Sequence, residues 1–354
     1  MNSHFRRRRL PVRLATVVAS TAIASMLLLA GCSSTTPERE PGADGNISVK
    51  FAYYPVLVFL SSFIGVEKGI YAEHGLDVEL IAPADAPTQV RMVMSGDLDG
   101  TIYGLSGWQN VAAQGQEVKL IGSTINRGMF QLVVPDAPWA DFDASLDDKL
   151  RSLEGQTVGV PGIGSAADTI FRALLTEAGM DPDSDLTIIQ MTDPTAALAQ
   201  LDNNAIGGFI YLPPWPTVYE LQGIARTYID FGKDVPEEVG AVSTGTMGVS
   251  AAWLAENEEA AQRWIDAEAA SIAWIMDPAN KDELIGLIAK EMTNNDEAVA
   301  SAVLDYMLTD VYPATEPDLR LTKQVFDNQL NLLVDAGTIP SGVVSYDDMV
   351  VTLP

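Results

Sequence analysis

Short apolar strands alternate with helical segments in two successive stretches of this chain, and this alternation constrains the fold more than any other feature. The first stretch begins at Ile47 and the second at Thr157. Strands that alternate with helices at this spacing are typical of a parallel sheet with helices on both faces. The sequence therefore predicts an α/β protein built from two such units.

The pattern changes after the second unit. From Ala251 onward it indicates helices only, and extended segments near 128–134 and 244–250 join the two units. Ligands of open α/β sheets collect at the carboxyl ends of strands, so we expect two lobes around a ligand cleft. The predicted division assigns residues 47–128 and 245–354 to lobe 1 and residues 129–244 to lobe 2.

The N-terminus predicts export and anchoring. Arginines precede an apolar run from Leu14 to Ala30, which is typical of an export signal. The run ends in Leu-Ala-Gly-Cys, which resembles the lipobox of bacterial lipoproteins, and Cys32 is the only cysteine of the chain. A transmembrane anchor is the alternative, but the run is short for a span. We predict a lipoprotein signal peptide at 1–31, lipidation of Cys32, for example by palmitate, and a flexible tether at 32–46.

The acidity of the chain limits its partners. The formal net charge is −27, and the arginine cluster precedes Cys32, so the mature protein is more acidic still. Such a surface opposes binding to nucleic acid and to anionic lipid head groups. With one cysteine and only His4 and His74 as histidines, disulfides and Cys/His metal sites are excluded. We expect a monomer without cofactor or metal, held by its lipid on the extracytoplasmic face of the cell membrane.

Two stretches resemble a family of solute-binding proteins. The first is KGIYAEHGLDVE at 68–79, and the second is LEGQTVGVP at 153–161, followed by Gly162, Gly164, Ser165 and Asp168. With MSGDLD at 94–99 and the segment 196–201, they resemble ABC-transporter binding proteins for nitrate, sulfonates, taurine and thiamine-pyrimidine precursors. The resemblance implies the two-lobed periplasmic-binding-protein fold of the second type, with ABC permease and ATPase subunits as partners.

One segment departs from the family pattern. Relatives often carry an acidic residue before proline after the second-lobe helix, whereas this chain has YLPPW at 211–215. The C-terminal helices also carry no recognisable motif. The resemblance therefore predicts the class of protein and leaves the identity of the solute open.

The glycine turn in the second unit is the main candidate binding element. Gly162, Gly164, Ser165 and Ala166 lie between a strand and a helix, where unpaired N–H groups and the positive end of the helix dipole favour an anion. The alternative is an ordinary helix cap formed by Ser165. The family resemblance favours binding.

Other candidates lie at predicted strand ends or at the crossover between units. Ser106, Gly107 and Trp108 begin a helix in the first unit, and Arg127 at the crossover can pair with an anion. Tyr53, Tyr54, Tyr211 and Trp215 follow strand ends, where aromatic rings can close over a planar solute, although single aromatic residues more often pack in a core.

These features predict a binding protein with no catalytic residues. The turn favours a small organic anion such as a sulfonate, taurine or nitrate, and the aromatic residues favour a pyrimidine or another aromatic solute as the alternative. A pyrimidine-synthase-like enzyme is disfavoured, because its cysteine-rich motif and histidine chemistry have no counterpart in a chain with Cys32 and His74.

Overall fold

Within residues 45–353, which the computed structural model describes, ten strands form three sheets. The first part of the chain supplies β1 (Ile47–Ala52), α1 (Leu60–Glu67), α2 (Ile70–Glu73), β2 (Leu76–Ile81), α3 (Ala86–Ser95), β3 (Thr101–Tyr103), α4 (Leu105–Ala113) and β4 (Val118–Ile125). The middle part supplies β5 (Gln131–Val134), α5 (Leu146–Arg151), β6 (Thr157–Val160), α6 (Ala166–Glu177), β7 (Thr187–Gln190), α7 (Pro194–Asp202), β8 (Gly208–Tyr211), α8 (Trp215–Leu221), β9 (Arg226–Asp230) and α9 (Glu237–Gly240).

The C-terminal part supplies one strand and then helices. These elements are β10 (Gly245–Ser250), α10 (Ala251–Glu256), α11 (Glu258–Met276), α12 (Lys281–Met292), α13 (Glu297–Tyr306), α14 (Lys323–Asp335) and α15 (Tyr346–Met349). The predicted helical C-terminal region is confirmed. None of the described helices is both long and apolar enough to cross a bilayer. The predicted signal peptide, Cys32 and most of the predicted tether lie outside the described residues.

Lobe 1 contains two small sheets. In the first, β1 and β2 run parallel, with Ile47 opposite Leu76 and Ala52 opposite Ile81. In the second, β10 lies between β3 and β4 and is antiparallel to both.

Lobe 2 contains one sheet of five strands in the order β7-β6-β8-β5-β9. Strand β6 is parallel to β7 and β8, as the alternating pattern predicts, but β5 is antiparallel to β8 and β9. The prediction of purely parallel sheets is therefore wrong for β5 and β10. Both strands enter their sheets directly from the other lobe instead of through a helical crossover, which is the connection that parallel neighbours require.

Each lobe has its own apolar core. In lobe 2 the core includes Val158 and Val160 of β6 and Ile170, Phe171 and Leu174 of α6. Burying one such side chain stabilises the fold by about 1.5–3 kcal/mol. This contact holds α6 on the sheet, so its first turn stays fixed beyond the carboxyl end of β6.

The two crossovers between the lobes lie side by side. The amide of Gly128 donates to the carbonyl of Gly240 at 2.9 Å, and the amide of Thr244 donates to the carbonyl of Ile125 at 3.2 Å. Sheet membership changes across both crossovers, close to the predicted lobe boundaries. The boundaries themselves, at 128/129 and 244/245, stay a prediction.

Candidate functional site

A cavity of about 450 Å³ lies between the lobes. This volume falls in the usual range for pockets that bind small molecules. Its wall is built from both lobes and both crossovers. The lining residues are Tyr54, Val56, Leu57, Val58, Phe59, Gln89, Ile102, Tyr103, Gly104, Ser106, Gly107, Asn110, Gly128, Met129, Phe130, Pro161, Gly164, Ser165, Ala166, Ile170, Tyr211, Leu212, Pro213, Pro214, Trp215, Val242, Ser243, Thr244 and Gln329.

Two strand-to-helix turns, one from each lobe, form parts of this wall. In lobe 1 the chain leaves β3 and enters α4 through Gly104, Ser106 and Gly107. A Cβ atom on Gly107 would overlap the ring of Tyr103, so glycine is required for the ring to lie over the start of the helix. In lobe 2 the corresponding turn leads from β6 to α6.

The turn of lobe 2 is capped within the chain. Ser165 Oγ accepts the amide of Asp168 at 3.4 Å, and the Asp168 carboxylate accepts the amide of Gly164 at 2.7 Å. These reciprocal bonds resemble a capping box. The expectation that the Gly164 amide is free for a ligand is therefore wrong, because a carboxylate of the same helix already occupies it.

Two other amides of this helix end remain free. The amides of Asp168 and Thr169 have acceptors in Ser165, whereas those of Ala166 and Ala167 have none among the described residues. The first turn of a helix leaves such donors because no earlier carbonyl reaches them. Of the two, only Ala166 lines the cavity, so an acceptor atom of a solute can bind the Ala166 amide, whereas Ala167 is fully buried.

Aromatic rings cover much of the remaining wall. Tyr211 stacks on Phe209 with ring centroids 5.2 Å apart, and Tyr54 packs its ring edge against Phe59. Burial raises the pKa of the Tyr54, Tyr103 and Tyr211 phenols. These phenols are therefore neutral at physiological pH.

Charge is missing from the wall. None of the lining residues of this cavity is Lys, Arg, Asp or Glu, and the polar side-chain groups among them are amides, hydroxyls and the indole N–H of Trp215. An uncharged, aromatic wall favours a flat and neutral solute, because burying an unpaired ion is costly. Among the described residues, no group of three or more His, Cys, Asp or Glu side chains could hold a metal ion.

The structure brings together eight of the twelve predicted ligand-binding residues. These are Tyr54, Ser106, Gly107, Gly164, Ser165, Ala166, Tyr211 and Trp215. They come from four turns that lie far apart in the sequence and meet at strand ends. Their contact with a solute stays a prediction.

The other four predicted residues lie outside the lining. Trp108 is fully buried in the lobe 1 core, where its indole N–H donates to the carbonyl of Thr246 at 3.2 Å. The Tyr53 hydroxyl donates to Glu291 at 2.9 Å. Each side chain is therefore engaged by another part of lobe 1.

Arg127 and Gly162 also have structural partners. The Arg127 guanidinium donates to the carbonyl of Gly232 near the crossover, and the Gly162 carbonyl accepts the amide of Ser165 at 3.1 Å. Arg127 is not among the lining residues, and the Gly232 carbonyl occupies one of its N–H groups. Its pairing with an anion stays a prediction.

Several lining residues have no counterpart in the sequence prediction. These are notably Gln89, Asn110, Ser243, Thr244 and Gln329. Ser243 and Thr244 lie at a crossover between the lobes, which the extended sequence pattern near 244–250 indicated. The others lie within helices, where nothing in the sequence distinguishes a residue that lines a cavity from one that packs in a core.

The chain matches the NMT1-like family over residues 42–289. Among curated proteins, it is similar to the formylaminopyrimidine-binding protein of Halalkalibacterium halodurans, with 24% identity over 77% of this chain and 78% of the relative. It is also similar to the nitrate/nitrite binding protein NrtA of a Synechocystis species, with 25% identity over 73% of this chain and 61% of that protein.

Solved structures share the fold. The alkanesulfonate-binding protein SsuA from Xanthomonas axonopodis pv. citri, bound to MOPS, has a TM-score of 0.66 and 16% identity over 86% of this chain and 98% of its own. A structure named desulfurization enzyme DSZB has a TM-score of 0.62 and 14% identity over 85% of this chain and 96% of its own. Likeness at this identity concerns the fold alone, and it confirms the predicted two-lobed periplasmic-binding-protein fold.

Proposed function

Because the chain belongs to the NMT1-like family, we propose that it is the extracytoplasmic solute-binding protein of an ABC importer. The observation that carries this proposal is the cavity between the lobes, whose wall includes a strand-to-helix turn from each lobe. The names of the curated relatives, which are binding proteins, support it.

The solute shifts the protein toward its closed state. A ligand that contacts both lobes has a higher affinity for the state in which they are closed, so its binding populates that state. The closed protein then delivers the solute to the permease, and the ATPase subunits drive uptake.

The preferred solute of this proposal is a neutral, flat heteroaromatic compound of the pyrimidine class. Aromatic rings line the cavity, the phenols among them are neutral, and no lining side chain is charged. The similarity to a formylaminopyrimidine-binding protein supports this choice.

A small organic anion such as a sulfonate, taurine or nitrate is the second candidate. The amide of Ala166 at the start of α6, which has no acceptor among the described residues, supports it, since helix N-termini bind anions. Without a lysine or arginine in the lining, an anion would rely on this amide and on neighbouring hydroxyls.

Calorimetric titration of the purified protein distinguishes the two candidates. The panel is formylaminopyrimidine, an alkanesulfonate, taurine and nitrate. We expect saturable heat with the pyrimidine, and a solute present at about 100 times its Kd should stabilise the fold by about 2.7 kcal/mol in a parallel melting experiment. Saturation by an anion alone would select the second candidate, and saturation by no member of the panel would contradict both.

The anchor and the absence of catalysis belong to the same proposal. We propose that a lipid on Cys32 holds the protein at the membrane, which metabolic labelling with palmitate tests. Cys32→Ala should lose the label and release the protein.

We further propose that the protein releases its bound solute chemically unchanged, and chromatography after prolonged incubation should recover the solute intact. A new product would show that the protein is an enzyme. One structural neighbour, the desulfurization enzyme DSZB, is an enzyme by its name.

A further inference from the structure

Helix α14 is packed against both lobes. Phe326 and Leu333 lie in a core of lobe 1, and Leu332 lies in the core of lobe 2. The side chain of Asn328 donates to the carbonyl of Ala241 near the second crossover at 3.1 Å. The position of the helix beside the cavity is therefore fixed from two sides.

The buried face of this helix contains one polar residue. Its buried positions are Val325, Phe326, Gln329, Leu332 and Leu333, which follow the spacing of an apolar helical stripe. Gln329 stands where this spacing favours another apolar side chain. It is 2% exposed and lines the cavity.

The amide nitrogen of Gln329 has no hydrogen-bond partner among the described residues. Gln131, which is also buried but lies outside the cavity lining, donates its amide to the carboxylate of Asp230 at 2.9 Å. Leaving a buried amide unpaired destabilises a protein, and an apolar side chain of similar size would avoid that loss. A group retained at this cost in the wall of a cavity indicates a partner that arrives with the solute.

A second lining residue also has a buried polar atom without a hydrogen-bond partner. The hydroxyl of Tyr54 is buried and has no partner within the described part of the chain. The phenol offers one donor. The carboxamide of Gln329 offers a donor and an acceptor side by side, and it can present either one by rotating about its last bond.

We propose that the Gln329 carboxamide hydrogen-bonds the captured solute and determines its specificity. This inference rests on the proposed function and narrows it to heteroaromatic solutes that carry an amino donor next to a ring-nitrogen acceptor. A carboxamide pairs with such an edge through two parallel hydrogen bonds, as glutamine does with adenine.

The binding experiment uses Gln329→Met, which keeps the length of the side chain and removes both polar atoms. We expect its Kd for formylaminopyrimidine in calorimetry to be about tenfold higher than that of the wild type. The control is Gln324→Met, an exposed glutamine of the same helix, which should leave the Kd unchanged. An unchanged Kd for Gln329→Met would overturn the inference.

A second probe tests the specificity. The corresponding formylaminobenzene lacks the ring nitrogens, so the wild type should bind it more weakly than the pyrimidine. Gln329→Met should lose most of this preference. If Gln329→Met still prefers the pyrimidine over the benzene analogue, another residue distinguishes the two solutes and the inference is overturned.

Melting of the ligand-free protein gives a test that needs no solute. Gln329→Met should melt at or above the temperature of the wild type, because it removes an unpaired buried amide. Gln131→Met should melt lower, because it removes the hydrogen bond to the Asp230 carboxylate. If both variants melt equally low, the Gln329 amide has a partner in the protein and the inference fails. A wild type that binds no member of the solute panel would contradict the proposed function, and the melting comparison would still decide whether the Gln329 amide has a partner in the protein.

Discussion

The Nε–H of Arg172 donates to the buried carboxylate of Asp168 at 2.8 Å, one turn into the helix that begins at the cavity. The other carboxylate oxygen accepts the amide of Gly164. The negative charge at this helix end is therefore paired within lobe 2 and does not face the solute. This pairing keeps the cavity wall neutral although a carboxylate lies next to it.

We expect Asp168→Asn to destabilise the protein by about 1–3 kcal/mol, because Arg172 loses the buried member of its ion pairs and the helix cap is weakened. Urea denaturation measures the change. Asp183→Asn is the control: Asp183 contacts Arg172 at 2.7 Å but is 82% exposed, so its loss should have little effect. Equal losses in the two variants would contradict the role of burial.

Gly107→Ala should destabilise lobe 1 by about 1–3 kcal/mol, because the added Cβ overlaps the Tyr103 ring and forces it to move. The nearest neighbour of a Cβ on Gly104, Ser106 Oγ, is 3.9 Å away. Gly104→Ala should therefore fold normally. Thermal melting compares the two variants, and a normal melting temperature for Gly107→Ala would show that the ring moves without cost.

Trp215 lines the cavity, so its fluorescence should report binding of an aromatic solute. We expect Trp215→Phe to lose the emission change on addition of formylaminopyrimidine, and Trp215→Ala to weaken binding by about 1–3 kcal/mol through lost stacking. Trp139 packs at the edge of the Tyr228 ring in lobe 2 and serves as the control. If Trp139→Phe abolished the signal instead, the solute would lie elsewhere.

Affinity for a solute that does not titrate should stay constant between about pH 7 and pH 9. Burial raises the pKa of Tyr54, Tyr103 and Tyr211 above the ordinary value of about 10, so all three phenols remain protonated in this range. Because the folded pKa is raised, the stability linked to these phenols is complete below pH 10 and is lost as the pH rises further. Calorimetry across the range tests the first point, and an affinity step within it would indicate a titrating group at the solute.

The sequence predicted the elements that carry a regular pattern. Strands β1 and β6 begin at the predicted residues, Ile47 and Thr157, because a short apolar run starts at each of them. The position of the site also followed from strand ends. Trp108 and Trp215 each follow a strand end, yet one is buried in a core and the other lines the cavity. Which way a side chain points depends on tertiary packing, which local pattern does not encode.

The role of Gln329 had no signal in the sequence. It lies within α14, about 165 residues after the glycine turn of lobe 2. Only the packing of α14 against both lobes brings it to the cavity. The antiparallel direction of β5 and β10 could not be predicted from the sequence either. Strand direction is set by the route of the chain between lobes, whereas the periodicity within a strand reads the same in either direction.

The route of the chain through the lobes has a consequence for biosynthesis. Lobe 2 is continuous in sequence, so all of its strands leave the ribosome together. Strand β10, which occupies the middle of the β3-β10-β4 sheet, emerges only afterwards. The inserted lobe can thus fold once its own strands have emerged, while the lobe that begins first must wait for its central strand and is completed last.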